Sequence, residues 1–426
     1  MKKKLILLFS FFLLIQPHAY SQQSKFNDSG PDAKTMGEDR NFATCTPYGV
    51  IAVKIECRIG NFSQVHKVLG SVLRSVHPSN DPINFKFMAN PPLELIKKTD
   101  EYISKHPVMG FLVIKNGEVV LERYQYGRKK NMILRGFSMS KTITAMLIGI
   151  AHQKGYIKSL DDTVGTYWTE IKNSPYGNIT IKEVLLMASG VEGGSYSSLP
   201  TYPNLSPLAV PLVKSENFGK PEKFEEYLNS LKSAGTRGKF RYSDQDALVL
   251  GRILYKATGK NISTLTTEWL WQPMGGRGTA KWTFTNDRIE FTEGGFHASL
   301  NDYGRFGVLL ANDGKYKNNQ VIPLNYLLEA TDINLIPKSH LSVGSYNAFQ
   351  YGYGFQTWVQ QNKDRTFCAL GHYTQVICVQ PSSKIVMVQI AANKDHDSFK
   401  KGYGTMASDL LLMWNNILKE LGGSVD

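Results

Sequence analysis

Cysteine is scarce: four residues, Cys45, Cys57, Cys368 and Cys378, in a chain of 426. No C-x-x-C spacing occurs, and no histidine stands close enough to complete a compact tetrahedral set, which argues against a structural metal module. Beyond the N-terminus no run approaches the ~18 consecutive apolar residues of a membrane-spanning helix, so the mature chain is expected to be soluble. No internal repeat is visible. Acidic residues are outnumbered, 36 against 49 basic ones, for a formal charge of +13. The basic charges are scattered rather than gathered into a stripe. A basic surface suited to loose association with anionic envelope polymers is therefore expected, rather than a nucleic-acid-binding one.

What is present begins with an export signal. Lys2, Lys3 and Lys4 precede a short apolar run, Leu5 to Ile15, broken by Ser10. Ala19 and Ser21 supply small residues at a cleavage site. Residues 1–21 read as a secretory signal peptide, with a membrane anchor as the alternative that the short run disfavours. Its removal takes three lysines and lowers the charge to +10. The protein is thus expected to be periplasmic or secreted. In that setting an even cysteine count suggests disulfides within the two local pairs, twelve and ten residues apart, each contributing roughly 3 kcal/mol. Four reduced thiols are the alternative.

Hydrophobic residues make up 42% and charged residues 20%, the balance of a folded globular chain with length enough for two lobes. Residues 22–104 form a polar leader and a lead-in, with a strand expected at Tyr48–Arg58 and a short helix at Glu94–Ile103. From 105 to 426 the patterns sharpen into one main domain. Phe111–Ile114 and Val119–Glu122, joined through Asn116-Gly117, predict a hairpin. Ile143, Met146, Leu147 and Ile150 predict a helix from Ser138 to Lys154, ended by Gly155. Thr180–Glu183 has the form of a capping box opening a Val184–Met187 helix. Helices are expected at Phe224–Leu231, Asp246–Ala257 and Asp302–Asn312. Residues 190–217 lack periodicity and read equally as a loop over a site or an exposed connector. Four β-rich runs follow, Phe355–Val359, Thr366–Leu370, Gln375–Gln380 and Ile385–Ala391, and then a helix over Met406–Leu421. Strands, helices, strands and a final helix predict an α/β (α+β) fold. One antiparallel sheet, assembled from both ends of the chain, is flanked by helices and interrupted by a helical lobe at about 160–310.

The chemistry concentrates at Gly136-Phe-Ser-Met-Ser-Lys-Thr142. A serine hydroxyl needs a base near neutral pH. Lys141 lies one helical turn from Ser138, on the same face, and a buried lysine loses its proton more readily. A helix N-terminus adds N–H groups suited to a developing oxyanion. The spacing alone is weak, since Ser398-Phe-Lys-Lys401 repeats it in a polar loop. Two further segments add weight. Tyr242, in Phe240-Arg-Tyr-Ser-Asp244, would shuttle a proton, or is an ordinary core tyrosine. Leu370-Gly-His-Tyr-Thr-Gln375 offers a strand-edge N–H and the His372 side chain, or is a surface turn. No Gly-x-Ser-x-Gly nucleophile elbow occurs.

Together, Ser138/Lys141, Tyr242/Asp244 and His372-Tyr-Thr resemble the serine β-lactamase and penicillin-binding-protein superfamily. The resemblance is strongest to its esterase-like branch near class C β-lactamases and 6-aminohexanoate-dimer hydrolases. Ser159-Leu-Asp-Asp162, Leu185-Leu-Met-Ala-Ser-Gly190 and Asn301-Asp-Tyr-Gly-Arg-Phe-Gly307 add to it, over about residues 105 to 420. The resemblance implies an α/β domain and an inserted all-α domain with the cleft between them. It implies a Ser138 acyl-enzyme, proton handling by Lys141 and Tyr242, an oxyanion hole from the N–H groups of Ser138 and Gln375, and no metal or cofactor. Asp244 stands where the family has Asn, and it holds Lys141 protonated if it faces the amine. His372 stands where carboxylate-gripping members have Lys, and neutral imidazole is the weaker anchor. Both departures favour hydrolysis of small-molecule esters or amides over β-lactamase or D-alanyl-D-alanine carboxypeptidase activity. A non-catalytic cell-wall-binding protein is a third reading, which the intact Ser138, Lys141 and Tyr242 disfavour.

Overall fold

The computed structural model describes residues 71–126, 128–191, 221–233, 235–285, 290–343, 348–391 and 406–425. The apolar leader, Cys45, Cys57, the Tyr48–Arg58 strand, most of the 190–217 stretch and the Ser398–Lys401 repeat lie outside these residues.

In chain order the principal elements are β1 (Ser71–Val76), α1 (Leu93–Lys105), β2 (Val108–Lys115), β3 (Glu118–Tyr124), β4 (Ile133–Arg135) and α2 (Met139–Gln153). Then come α3 (Ile181–Leu185), α4 (Pro221–Ser230), α5 (Asp244–Thr258), β5 (Ala280–Thr285), β6 (Phe296–Ser299), α6 (Leu300–Ala311) and α7 (Leu324–Thr331). The chain closes with β7 (Gly352–Tyr353), β8 (Trp358–Val359), β9 (Phe367–Gly371), β10 (Gln375–Gln380), β11 (Ile385–Ala391) and α8 (Met406–Glu420).

The main sheet has seven strands in the order β3-β2-β11-β10-β9-β8-β7, and every pairing is antiparallel. The β2–β3 hairpin from the front of the chain is thus zipped onto β11 from its end, with Val113 opposite Met387. Side chains alternate between two buried faces, as the pleat requires. Phe111, Val113, Ile385 and Met387 pack with Leu95 of α1 and Trp414 of α8. Leu112, Ile114, Val386 and Val388 pack on the other side with α2 and α6. Covered on both faces, the strands read as continuous apolar runs.

Helix α2 is buried from Met139 through Ala151 on every side, not along a single stripe. That is the signature of a central helix. Gly149 lets α7 approach: a Cβ there would lie 2.4 Å from the Tyr326 ring, whose hydroxyl donates to the Ala145 carbonyl at 2.6 Å. Helix α3 opens with the reciprocal capping box, Glu183 N–H to Thr180 Oγ1 at 3.1 Å and Thr180 N–H to Glu183 Oε2 at 2.8 Å.

The interval from about 160 to 310 is mostly helical, but its last part carries β5 and β6. With β1 and β4 these strands form a second, four-stranded sheet in the order β1-β5-β6-β4. Periodicity within the interval did not reveal it, because β5 pairs with a strand some two hundred residues earlier, Val76 opposite Ala280. Arg74 on β1 and Glu290, after β5, add an ion pair at 2.9 Å.

Cys368 on β9 faces Cys378 on β10 in register, and the two form a disulfide. Both are fully buried. Replacing both by Ala should lower the unfolding free energy by about 3 kcal/mol, the loop-closure contribution for a separation of ten residues. Urea denaturation of the double variant beside the oxidised parent measures it, and coincident curves would refute a stabilising role.

Candidate active site

The nucleophile turn is set by β4. Gly136 N–H donates to the Phe296 carbonyl of β6 at 3.0 Å. Ser140 Oγ donates to the Phe137 carbonyl at 2.6 Å and accepts from Phe296 N–H at 3.0 Å. Phe137 is held at φ 48°, the left-handed region that a bulky residue enters only under constraint. Its ring is fixed by Tyr373 at 5.2 Å and by the Arg135 guanidinium at 4.6 Å. Ser138 follows as the N-cap of α2, half-buried, yet its side chain makes no capping bond. A serine there ordinarily spends its oxygen on the helix N–H groups; this one meets Lys141 instead.

Lys141 is 1% exposed. Its Nζ donates to Ser138 Oγ at 3.0 Å, Asp244 Oδ1 at 2.5 Å and the Glu293 carbonyl at 2.7 Å. Three donated bonds use all three protons of an ammonium. Burial works to strip one away. The charge and hydrogen bond of Asp244, with Tyr242 and Glu293 behind them, outweigh it and raise the Lys141 pKa above the usual lysine value. Of the two influences legible in the sequence, burial and Asp244, the carboxylate prevails because Asp244 points directly at the amine. Lys141 rests as a cation.

Tyr242 is half-buried beside Ser138 and Lys141. Nζ lies 5.1 Å from its ring centre. Trp358 stacks on the ring at 5.8 Å and 14°, with Tyr353 edge-on at 6.0 Å. Burial raises its pKa more than the Lys141 charge lowers it, so the phenol keeps its proton. Asp244 opens α5, where Ser243 is the N-cap and accepts from Asp246 N–H at 3.2 Å. Asp246 anchors the same turn through Tyr176 at 2.5 Å and Ser189 at 2.8 Å, and burial pushes its carboxyl up to about 6.

The β9–β10 connection comes against the nucleophile turn. A Cβ on Gly371 would sit 2.4 Å from the Gly136 carbonyl oxygen, so only glycine permits the approach. Tyr373 and Thr374 both have positive φ, 64° and 69°, and Gln375 starts β10 opposite Gly371. The Gln375 side chain is committed to β11: Nε2 donates to the Ala391 carbonyl at 2.7 Å and Oε1 accepts from Ala391 N–H at 2.9 Å. That leaves its backbone to serve the site. His372 is half-buried within the connection, 6.1 Å ring-to-ring from Tyr373.

The structure therefore joins Ser138, Lys141 and Asp244 by hydrogen bonds, places the Tyr242 ring against the same amine, and sets the His372–Gln375 segment against the turn that carries Ser138. Sequence reasoning missed Glu293, Trp358 and Phe137. Glu293 carried a signal, a carboxylate between Phe291 and Phe296 in an otherwise uncharged stretch. Its side chain is 6% exposed, and Oε2 is buried with no hydrogen-bond partner. Burial pushes it up to about 7; Asp244 adds to the rise, and Lys141 and Arg135 oppose it.

A carboxyl whose folded pKa is raised contributes stability fully present below its unfolded value and lost as pH rises through the folded one. For Glu293 that window runs from about 4.5 to about 7 and is worth on the order of 3 kcal/mol. Glu293→Gln removes the titration. Its melting temperature should exceed the parent's at pH 8, with the gap narrowing toward pH 5. Equal melting temperatures at both pH values would show that Glu293 is not strained by its ionisation.

The family model described as Beta-lactamase matches residues 95–410. A 6-aminohexanoate-dimer hydrolase of Paenarthrobacter ureafaciens is 22% identical over 289 residues, 68% of this chain and 73% of that one. Among solved structures, a Bacillus anthracis protein assigned as a 6-aminohexanoate-dimer hydrolase superposes with a TM-score of 0.67 at 23% identity, covering 85% of this chain and 93% of its own. A β-lactamase of Mycobacterium bovis gives 0.53 at 16% identity, covering 77% and 99%. At such identities the structural likeness concerns the fold. The family model spans about three quarters of the sequence, and on that match the chain belongs to the Beta-lactamase family.

Proposed function

We propose that this β-lactamase-fold hydrolase cleaves ester or amide bonds of small molecules through an acyl-enzyme on Ser138. The observation that carries the reading is the line Ser138 Oγ–Lys141 Nζ–Asp244 Oδ1, with steps of 3.0 and 2.5 Å. A resting ammonium is not a base by itself. It becomes a relay when a carboxylate stands behind it: Ser138 Oγ attacks the substrate carbonyl, its proton passes to Lys141 Nζ, and Lys141 hands one of its own to Asp244 Oδ1. The tetrahedral oxyanion takes N–H bonds from Ser138 and Gln375. Tyr242 gives its proton to the leaving alcohol or amine and is recharged by Lys141, which recovers the proton from Asp244. Water then repeats the sequence on the acyl-enzyme, restoring Ser138.

His372, in place of a fixed cation, offers a weak grip on a substrate carboxylate. This supports general ester or amide cleavage over β-lactam or D-alanyl-D-alanine processing, the second enzymatic reading. The Paenarthrobacter relative, named a 6-aminohexanoate-dimer hydrolase, supports a small-molecule substrate. The N-terminal leader supports export to the periplasm or beyond, where a basic surface suits loose contact with anionic envelope polymers.

Ser138→Ala should abolish turnover of an activated ester, a loss on the order of 10⁴-fold or more, with the melting temperature unchanged. A fluorophosphonate probe should leave its adduct on Ser138, located by peptide mass spectrometry. Retained turnover in the variant, or labelling elsewhere, sinks the assignment. Fast nitrocefin hydrolysis by the parent would favour the β-lactamase reading. Folded parent protein that takes no probe would favour a binding protein.

A further inference from the structure

We propose that Glu293 is a positioning residue for proton transfer: its carboxylate, acting on Asp244, sets how strongly the Lys141–Asp244 pair takes up the proton that Ser138 releases. This rests on the Ser138–Lys141–Asp244 relay described above.

Three features point to it. First, Glu293 is tethered to the relay by its own backbone, whose carbonyl accepts from Lys141 Nζ at 2.7 Å. Second, Glu293 Oε2 and Asp244 Oδ2 are both buried and both lack a hydrogen-bond partner. Asp244 meets the ammonium through Oδ1 and Glu293 through its backbone carbonyl, and each residue carries one buried carboxyl oxygen without a donor. A buried carboxyl left so is costly, and its proton affinity rises in consequence. Third, Lys141 is committed by its side-chain ion pair to Asp244 and not to the Glu293 carboxyl. The other groups that act on it are Arg135 of β4, whose Nε donates to the Gly294 carbonyl at 3.0 Å, and Asp244 itself. Tyr242, which faces the same ammonium, stays a neutral phenol.

An ionised Glu293 adds a second negative charge that acts on the Lys141–Asp244 pair and so favours uptake of the next proton available there. During acylation that proton is the one leaving Ser138. It moves from Ser138 Oγ to Lys141 Nζ as a Lys141 proton moves to Asp244 Oδ1; Glu293 keeps its charge and exchanges nothing. When Glu293 is already protonated, Asp244 feels one negative charge fewer and accepts more weakly. The ionised form of Glu293 is therefore the fast form. Burial and the Asp244 charge place its ionisation at about 7, within the working range of an enzyme.

The experiment is the pH dependence of kcat/KM on an activated ester, for the parent, Glu293→Gln and Glu293→Asp. In the parent, kcat/KM should rise about tenfold from pH 6 to pH 8, as expected for one group ionising between them. Glu293→Gln should fold, be more stable than the parent at pH 8, and run flat over this range at or below the parent's pH 6 level. Glu293→Asp should restore a rise. A Glu293→Gln profile that keeps the parent's rise, or that exceeds the parent at pH 8, overturns the proposal. If Glu293→Gln does not fold, Glu293→Asp decides: a rise displaced along the pH axis supports the role, and an undisplaced one overturns it. Fluorophosphonate labelling separates the two levels of inference. Labelled Ser138 with an unmoved profile removes the role of Glu293 and leaves the relay standing. Absence of a Ser138 adduct in the parent removes the relay and this inference with it.

Discussion

A fully buried ammonium is the constraint around which this molecule is arranged. Lys141 sits one turn inside α2, a helix buried from Met139 through Ala151, between the main sheet and the helices of the inserted segment. An isolated charge there would cost several kcal/mol of lost hydration. Each of its three protons must find an acceptor, and the acceptors come from three places: Ser138 on the preceding turn, Asp244 at the start of α5, and the Glu293 carbonyl just before β6. Satisfying Lys141 therefore brings the middle and the last part of the inserted segment onto the N-terminus of α2, around Ser138.

The main sheet supplies the rigid wall opposite. Gly371 approaches the Gly136 carbonyl so closely that a single methyl group would push the two segments apart. The hairpin that makes this approach is closed by the Cys368–Cys378 disulfide a few residues away and pegged to β11 by the Gln375 side chain. Backbone N–H groups are useful to an oxyanion only if they are already in place when charge develops. The disulfide, the glycine and the glutamine amide fix the position of this connection from different directions.

Several features here lower stability. Phe137 has a left-handed backbone, and Asp244 and Glu293 each bury an unpaired carboxyl oxygen. All three adjoin Ser138 or Lys141: Phe137 precedes Ser138, Asp244 accepts from Lys141 through its side chain, and Glu293 does so through its backbone carbonyl.

The short-range part of this protein was legible in its sequence. The Ser138–Lys141 spacing, the Thr180–Glu183 capping box, the β2–β3 hairpin, the Cys368/Cys378 pair and the strands that close the main sheet all rest on periodicity or on partners within about ten residues. The family likeness extended the reading to Tyr242, Asp244 and the His372–Gln375 segment, because motif order survives where distance is unknown. Tertiary structure alone decided the rest. The second sheet depends on β1 meeting β5. The charge on Lys141 depends on a carboxylate 103 residues away and a carbonyl 152 residues away. The raised proton affinity of Glu293 arises only when folding removes its water and brings it within reach of the Asp244 charge. Proton affinity belongs to an environment, and a linear sequence names the groups without saying which of them will share one.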